Sequence, residues 1–223
     1  MTLCISWKSA DGRIHLAADS RVTFGSGQPA DVAVKVAKLP YHITEVTHAN
    51  DPRQVELLGE IGITFCGSTV SMFAIKESIA EVLLHMQAMD IRSVTLHGIC
   101  EIIFATYQRI LPQVVTAMLS NQAVANLIVA GFCPANQAEE AYLIETNASN
   151  ISSLRRILDR TGQQHEILGS GAKAAIALLG SIPSPKTEDF LSILQSVIDD
   201  PQGSRCRRKA GLRAYRSQEI LDF

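Results

Sequence analysis

The chain begins with MTLCISWKSADGRIHLAADSR (residues 1–21), and this stretch predicts a β-hairpin beside the terminus. Residues 3–7 are mostly apolar, and the dipeptide Asp11-Gly12 is typical of a tight hairpin turn. Residues 14–19 supply the returning strand. Because chain ends normally fray, a strand that starts this early indicates that the first residues are held within the fold.

The rest of the chain groups its strands and helices in blocks. Residues 32–39 alternate between apolar and polar side chains and predict a strand that ends at Pro40. The polar residues 41–53 predict either a long hairpin loop or an extra strand pair. Further strands are predicted at 55–66, 124–132, 141–145, 154–157 and 165–168, and helices at 68–86 with Ser68 as N-cap, 93–119, 172–179 and 187–198 with Thr187 as N-cap. Strand runs followed by helix runs predict an α+β layered domain.

Composition narrows the class of protein. The 223 residues carry 20 Lys+Arg and 22 Asp+Glu, and this balance argues against nucleic acid as the main partner. The hydrophobic share of 47% is enough for a core. No apolar run is long enough for a membrane span, and no signal peptide is recognisable, so we expect a cytoplasmic protein with its five cysteines reduced. We divide the chain into a domain over 2–204 and a basic tail over 205–223.

Thr2 is the first candidate for chemistry. Initiator methionine is removed when the second residue is small, which would leave a threonine at the mature terminus. That residue carries a hydroxyl beside a free α-amine, whose reference pKa of ~7.7–8.0 allows it to accept a proton near neutral pH. A hydroxyl with its own base is one recognised form of activated nucleophile. A small second residue is nevertheless common, so Thr2 alone is a weak signal.

Two charged residues give Thr2 a context. Asp19 ends the second strand, and Lys35 stands between apolar residues. Separately, Asp19 could cap a turn and Lys35 could protect a strand edge from aggregation. Taken together, Asp19 would hold the Lys35 ammonium, which would lower the pKa of the Thr2 hydroxyl and orient it.

The ordered set of motifs resembles the N-terminal-nucleophile hydrolases of the proteasome β-subunit and HslV type, most closely the bacterial proteasome homologue/Anbu group. The resembling pieces are Thr2, Asp11-Gly12, the stretches 17–21 and 35–39, Phe65-Cys66-Gly67-Ser68, and Gly169-Ser170-Gly171 before a helix. The resemblance covers residues 2 to about 198 and implies a four-layer αββα sandwich.

The resemblance also implies a role for each matched residue. Thr2 would be the nucleophile, supported by Asp19 and Lys35; Gly67 would donate its N–H to the oxyanion, and Ser170 would bond near the terminal amine. The positions that match the specificity pocket are Val22, Thr23, Ala33, Ala37, Phe65 and Thr69. They are small to medium and largely apolar, so we expect a preference for apolar substrate side chains.

By the same resemblance, the reaction is peptide-bond hydrolysis through an acyl-ester, without metal or organic cofactor. Identical subunits would form two stacked rings, a tetradecamer, around peptide or unfolded protein substrates; any ATPase unfoldase partner is unknown.

One departure concerns the family's Asp-x-x-Ser near the amine, because the serine after Asp200 comes one residue late, at Ser204. A non-proteolytic amidohydrolase and a catalytically weak assembly subunit therefore stay open as alternatives.

Other constellations are weaker. The six histidines show no metal-ligand spacing, and the Gly-x-Ser-x-Gly pattern of serine hydrolases is not met around Ser170. Gly25-Ser26-Gly27 is too short for a phosphate-binding loop.

Overall fold

A computed structural model describes residues 2–22, 30–31, 33–46, 55–118, 124–147, 149, 151–159, 164–199 and 218–222. The strands are β1 Cys4–Lys8, β2 Ile14–Asp19, β3 Arg21–Val22, β4 Ala30–Asp31, β5 Val36–Glu45, β6 Glu56–Gly67, β7 Met86–Ala88, β8 Ala125–Cys133, β9 Ala138–Thr146, β10 Ser152–Ile157, β11 His165–Leu168 and β12 Gln218–Asp222. The helices are α1 Thr69–Leu83, α2 Leu96–Met118, α3 Ala172–Leu179 and α4 Thr187–Asp199, with a 3-10 turn over Ile91–Ser93.

Most strands belong to two sheets. The smaller sheet has the order β11-β1-β2-β12, and the larger has the order β10-β9-β8-β6-β5-β7; β3 and β4 form a short separate pair. All neighbours in the two large sheets are antiparallel except β5 and β7. Antiparallel strands follow one another through short turns, which is what the predicted hairpins require.

Three separate apolar cores show that these elements form four layers. One core packs α1 and α2 on the larger sheet, a second packs α3 and α4 on the smaller sheet, and the third lies between the two sheets. Strand alternation produces this division: on β1, Ile5 and Trp7 face the helices while Cys4 faces the other sheet. On β8, Leu127 faces the helices and Ile128 faces the smaller sheet. The predicted α+β αββα sandwich is therefore confirmed.

The fifth strand differs from its prediction. It begins at Val36, later than predicted, and runs through Pro40 to Glu45. Proline lacks an N–H and is tolerated where a strand has no second neighbour; β7 pairs with β5 only at 43–45, beyond Pro40. Within 41–53, residues 41–45 continue β5 and pair with β6 as far as Thr44 opposite Glu56, and residues 47–53 lie outside the described residues. The choice between a long hairpin loop and an extra strand pair stays a prediction there.

The helix starts were predicted with mixed success. Ser68 is the N-cap of α1, and its hydroxyl accepts a hydrogen bond from the Ser71 N–H, as expected. Thr187 is not a cap; it lies within α4, and its hydroxyl accepts the indole N–H of Trp7 at 3.1 Å. The Lys186 N–H donates instead to Asp189, three residues later.

The last described strand was not predicted. β12 pairs antiparallel with β2, from Gln218 opposite Asp19 to Asp222 opposite His15. These residues belong to the predicted basic tail, whose other positions, 205–217 and 223, lie outside the described residues. Within the described part of the chain, no helix is long and apolar enough to cross a membrane.

The fold makes a stability prediction for the layer of α3 and α4. Leu194 on α4 is fully buried against the smaller sheet, so Leu194→Ala should lower the free energy of unfolding by about 2–5 kcal/mol through the cavity it leaves. Ile176→Ala on α3, where the side chain is 54% exposed, should change it by less than about 0.5 kcal/mol. Urea denaturation measures the free energy of unfolding of both variants, and equal losses would contradict the burial of Leu194 between α4 and the smaller sheet.

Candidate active site

The carboxylate of Asp19 lies at the centre of the candidate site. One oxygen accepts the backbone N–H of Leu3 at 2.7 Å, and the other accepts the N–H of Arg21 and the Lys35 ammonium, each at 3.0 Å. The Asp19 N–H also donates to the Leu3 carbonyl at 3.0 Å. Asp19 thus joins the start of the chain to Lys35. Thr2 and Lys35 are 33 positions apart in the sequence.

Lys35 is buried together with its partner. Asp19 is 4% exposed and Lys35 1% exposed, and the Lys35 ammonium also donates to the Arg21 carbonyl. Removing two charges from water is costly unless both are paired and hydrogen-bonded. Since burial of such a pair adds little stability by itself, its presence beside the first residues favours a chemical role.

The terminal segment is fixed from a second side by the turn before α3. The Thr2 backbone nitrogen donates to the Ser170 hydroxyl at 2.9 Å, and the Thr2 carbonyl accepts the Gly171 N–H at 3.1 Å. Gly169 has a φ of +101°, and a Cβ there would lie 2.3 Å from the Thr2 oxygen. Only glycine therefore allows this turn to approach Thr2 so closely.

Gly67 ends β6 next to the start of α1. Its φ is +104°, and a Cβ would lie 2.5 Å from the Val124 oxygen, so this position also requires glycine. The N–H of Ser68 donates to that same Val124 oxygen at 3.0 Å. The backbone at Gly67 is exposed, and it is held in one conformation by β8.

The matched pocket positions occupy different surroundings. Phe65 and Ala37 belong to the core between the larger sheet and the helices, and Thr69 starts α1 beside them. Ala33 is buried and its N–H donates to the Ser20 carbonyl at 3.0 Å. For Val22 only the backbone, paired with Ala30, is described.

Some predicted positions lie outside the described residues. These are Thr23 of the pocket set and the stretch Asp200 to Ser204. Among the described residues, no group of three or more His, Cys, Asp or Glu side chains could hold a metal ion.

Sequence reasoning missed two contributions to the site. The first is Gly169, whose close approach to Thr2 could have been suspected from its place in Gly169-Ser170-Gly171. The second is the backbone of Arg21, which both donates to Asp19 and accepts from Lys35. Backbone contacts of this kind leave no signal in residue identity.

Comparison with solved structures identifies proteins of the same fold. Anbu, the ancestral β-subunit, from Yersinia bercovieri superposes with a TM-score of 0.64 at 12% identity, covering 99% of this chain and 81% of that chain. Anbu from Pseudomonas aeruginosa, solved as a helical assembly of the Anbu complex, gives 0.65 at 13% identity over 99% and 80%. A Gly-1 mutant of Anbu from Hyphomicrobium sp. strain MC1 gives 0.62 at 12% identity over 100% and 82%.

At these identities the similarity establishes the fold alone. No protein-family model matches the chain, and no curated protein sequence matches it. The chain has the proteasome-like N-terminal-nucleophile hydrolase fold, as its resemblance implied.

Two glycines with similar backbone conformations test the terminal contact. Gly169→Ala would add a Cβ against the Thr2 carbonyl, whereas Gly12, with a φ of +91°, has nothing within 4 Å of such a Cβ. Both substitutions carry the left-handed penalty of about 1–2 kcal/mol, so Gly12→Ala is the matched control. We expect Gly169→Ala to cost at least about 1 kcal/mol more in urea denaturation; equal losses would contradict the tight contact.

Proposed function

We propose that this proteasome-like fold serves as a threonine peptidase subunit, hydrolysing peptide bonds through an acyl-ester on Thr2 after removal of Met1. The observation that carries the proposal is the Asp19 carboxylate, which holds both the Leu3 N–H and the Lys35 ammonium. A buried cation is thereby held by the same carboxylate that binds the backbone directly after Thr2. The Anbu fold supports the same assignment.

The contacts of Thr2 suit a terminal nucleophile. Its backbone nitrogen, which becomes the α-amine once Met1 is removed, already lies 2.9 Å from the Ser170 hydroxyl. The amine would take the proton of the threonine hydroxyl as that oxygen attacks the substrate carbonyl. The Lys35 ammonium would favour the deprotonated oxygen through its positive charge.

The remaining steps use the backbone and water. The N–H of Gly67 would stabilise the oxyanion of the tetrahedral intermediate, and such donors contribute about 2.7–4 kcal/mol in other hydrolases. Collapse of the intermediate releases the amine product and leaves an ester on Thr2. Water, deprotonated by the same α-amine, then hydrolyses the ester and restores the hydroxyl.

We assign the partner surface to a second copy of this chain. Exposed apolar side chains lie on α1 and α2, among them Val70, Phe73, Val82, Ile102 and Met118. Packing against a second copy would remove this apolar surface from water. Anbu was solved as a helical assembly, which supports a homo-oligomer here. Stacked rings, with fourteen subunits by the earlier resemblance, are the specific form to test by native mass spectrometry.

The two alternatives differ from the proposal in measurable ways. A small-molecule amidohydrolase with an open site needs no closed assembly, so a monomer or dimer in native mass spectrometry would favour it. A catalytically weak assembly subunit would form the oligomer but leave Thr2 unreactive.

The proposed nucleophile Thr2 can be tested directly. Intact mass of the native protein should show loss of Met1, and a peptide epoxyketone, which forms its ring only with a terminal residue carrying both a free amine and a hydroxyl, should add once. Thr2→Val keeps the shape and lacks the hydroxyl, so this variant should form no adduct. Retained Met1, or an adduct elsewhere than Thr2, would refute the proposed nucleophile.

Variants at Lys35 separate its effect on the rate of the probe reaction from its effect on the stability of the fold. Lys35→Met should slow the probe reaction by at least about a hundredfold and also destabilise the fold by about 3–5 kcal/mol, because Asp19 is left buried and unpaired. Lys38→Met, on the exposed side of β5, is the matched control: it should leave the probe reaction unchanged and alter the free energy of unfolding by less than about 1 kcal/mol. In Asp19→Asn/Lys35→Met, stability should partly return while reactivity stays low; recovered reactivity would make Lys35 structural only.

A further inference from the structure

Two cysteines face each other across the sheets beside the candidate site. Cys4 lies on β1 of the smaller sheet and Cys66 on β6 of the larger sheet, and both point into the core between them. The Cys4 thiol donates to the Phe65 carbonyl oxygen at 2.6 Å, and Phe65 is the residue directly before Cys66 on β6. The pair therefore bridges two layers that no strand ladder connects within the described residues.

The two thiols have unequal acidity. Burial, followed by the hydrogen bond to Cys66, raises the pKa of the Cys4 thiol well above its ordinary value. The hydrogen bond from Cys4 lowers the pKa of the Cys66 thiol despite burial, and the Asn126 N–H and the positive charge of Lys35 lower it further. Cys66 is therefore the sulfur better suited to be a thiolate nucleophile, with Cys4 as its partner.

We propose that Cys4 and Cys66 form a reversible dithiol–disulfide pair that peroxides oxidise, joining the two sheets next to Thr2 and Gly67. Cys66 is 4% exposed and directly precedes Gly67, the exposed residue that ends β6. The position of Cys4 then decides the product, because a neighbouring thiol captures a sulfenic acid before further oxidation.

The reaction balances without a bound cofactor. The Cys66 thiolate attacks one peroxide oxygen and displaces hydroxide, which takes up a proton to become water, leaving a sulfenic acid. The Cys4 sulfur attacks the sulfenic sulfur, the S–S bond forms, and the second water leaves with the Cys4 proton. The two thiols lose two electrons in total, and the peroxide accepts them.

A second buried pair supplies an internal control. Cys100 and Cys133 lie in the core between the larger sheet and the helices, and burial, the Glu140 carboxylate and Cys133 all raise the pKa of Cys100. Because Cys100 is held in its unreactive thiol form, this pair should stay reduced under the same treatment.

Formation of the disulfide should also affect Thr2 reactivity, a consequence that rests on the proposed function. An S–S bond is about 2.05 Å long and allows only a narrow range of Cβ positions, so a Cys4–Cys66 link would constrain the strand ends that carry Thr2 and Gly67. Misplacement of reacting groups by about 1 Å can slow a reaction up to a hundredfold.

The test treats the full-length folded protein, with Cys206→Ser to remove a cysteine outside the described residues, with hydrogen peroxide. Intact mass should fall by two hydrogen atoms, and peptide mapping should find one Cys4–Cys66 link, reversed by dithiothreitol, with Cys100 and Cys133 still open to alkylation after unfolding. A sulfinic acid on Cys66, a different pairing, or no oxidation would overturn the proposal.

Two variants sharpen the result. Cys4→Ser, which keeps a hydrogen-bond donor, should leave a sulfenic acid on Cys66 that dimedone labels, whereas Cys133→Ala should still form the link. Absence of labelling in folded Cys4→Ser overturns the assigned order of attack. Oxidised protein should react with the epoxyketone at least about tenfold more slowly than reduced protein, and equal rates overturn control of the site. A reduced protein that is itself unreactive refutes the proposed function, while the mass result still decides the disulfide.

Discussion

The arrangement depends on the buried carboxylate of Asp19. It accepts backbone N–H groups from both Leu3 and Arg21 while pairing with Lys35. Charge-assisted hydrogen bonds of this kind are the strong ones in a protein interior, and a carboxylate without them would be very costly to bury. Because its partners come from the terminal segment, from the strand end and from the approach to β5, one side chain fixes three parts of the chain together.

This dependence explains why the terminus is ordered. The neighbouring turn before α3 holds Thr2 from the other side through Ser170 and Gly171. Burial of Ile5 and Trp7 under α3 and α4 keeps β1 in place, and the remaining freedom of Thr2 is removed by hydrogen bonds. Local packing and polar contacts therefore act together to preorganise the residue proposed as nucleophile.

Much of the fold could be predicted because its signals are local. The turn at Asp11-Gly12 and the cap at Ser68 depend on residues within a few positions, and both are found. The extension of β5 through Pro40 depends on which neighbours it has in space, and Thr187 depends on Trp7, 180 positions away. For the site, side chains such as Asp19 and Lys35 could be singled out by unusual placement, whereas the backbone at Arg21 could not.

The strand β12 has a consequence for the edge of the smaller sheet. It covers the side of β2 that faces away from β1, opposite residues that include Asp19. Without that cover, β2 would present a row of free N–H and C=O groups able to pair with a strand of another molecule. The residues of β12 thus protect this edge from pairing with another molecule, and a chain that lacks them would expose an unpaired strand edge directly beside Asp19.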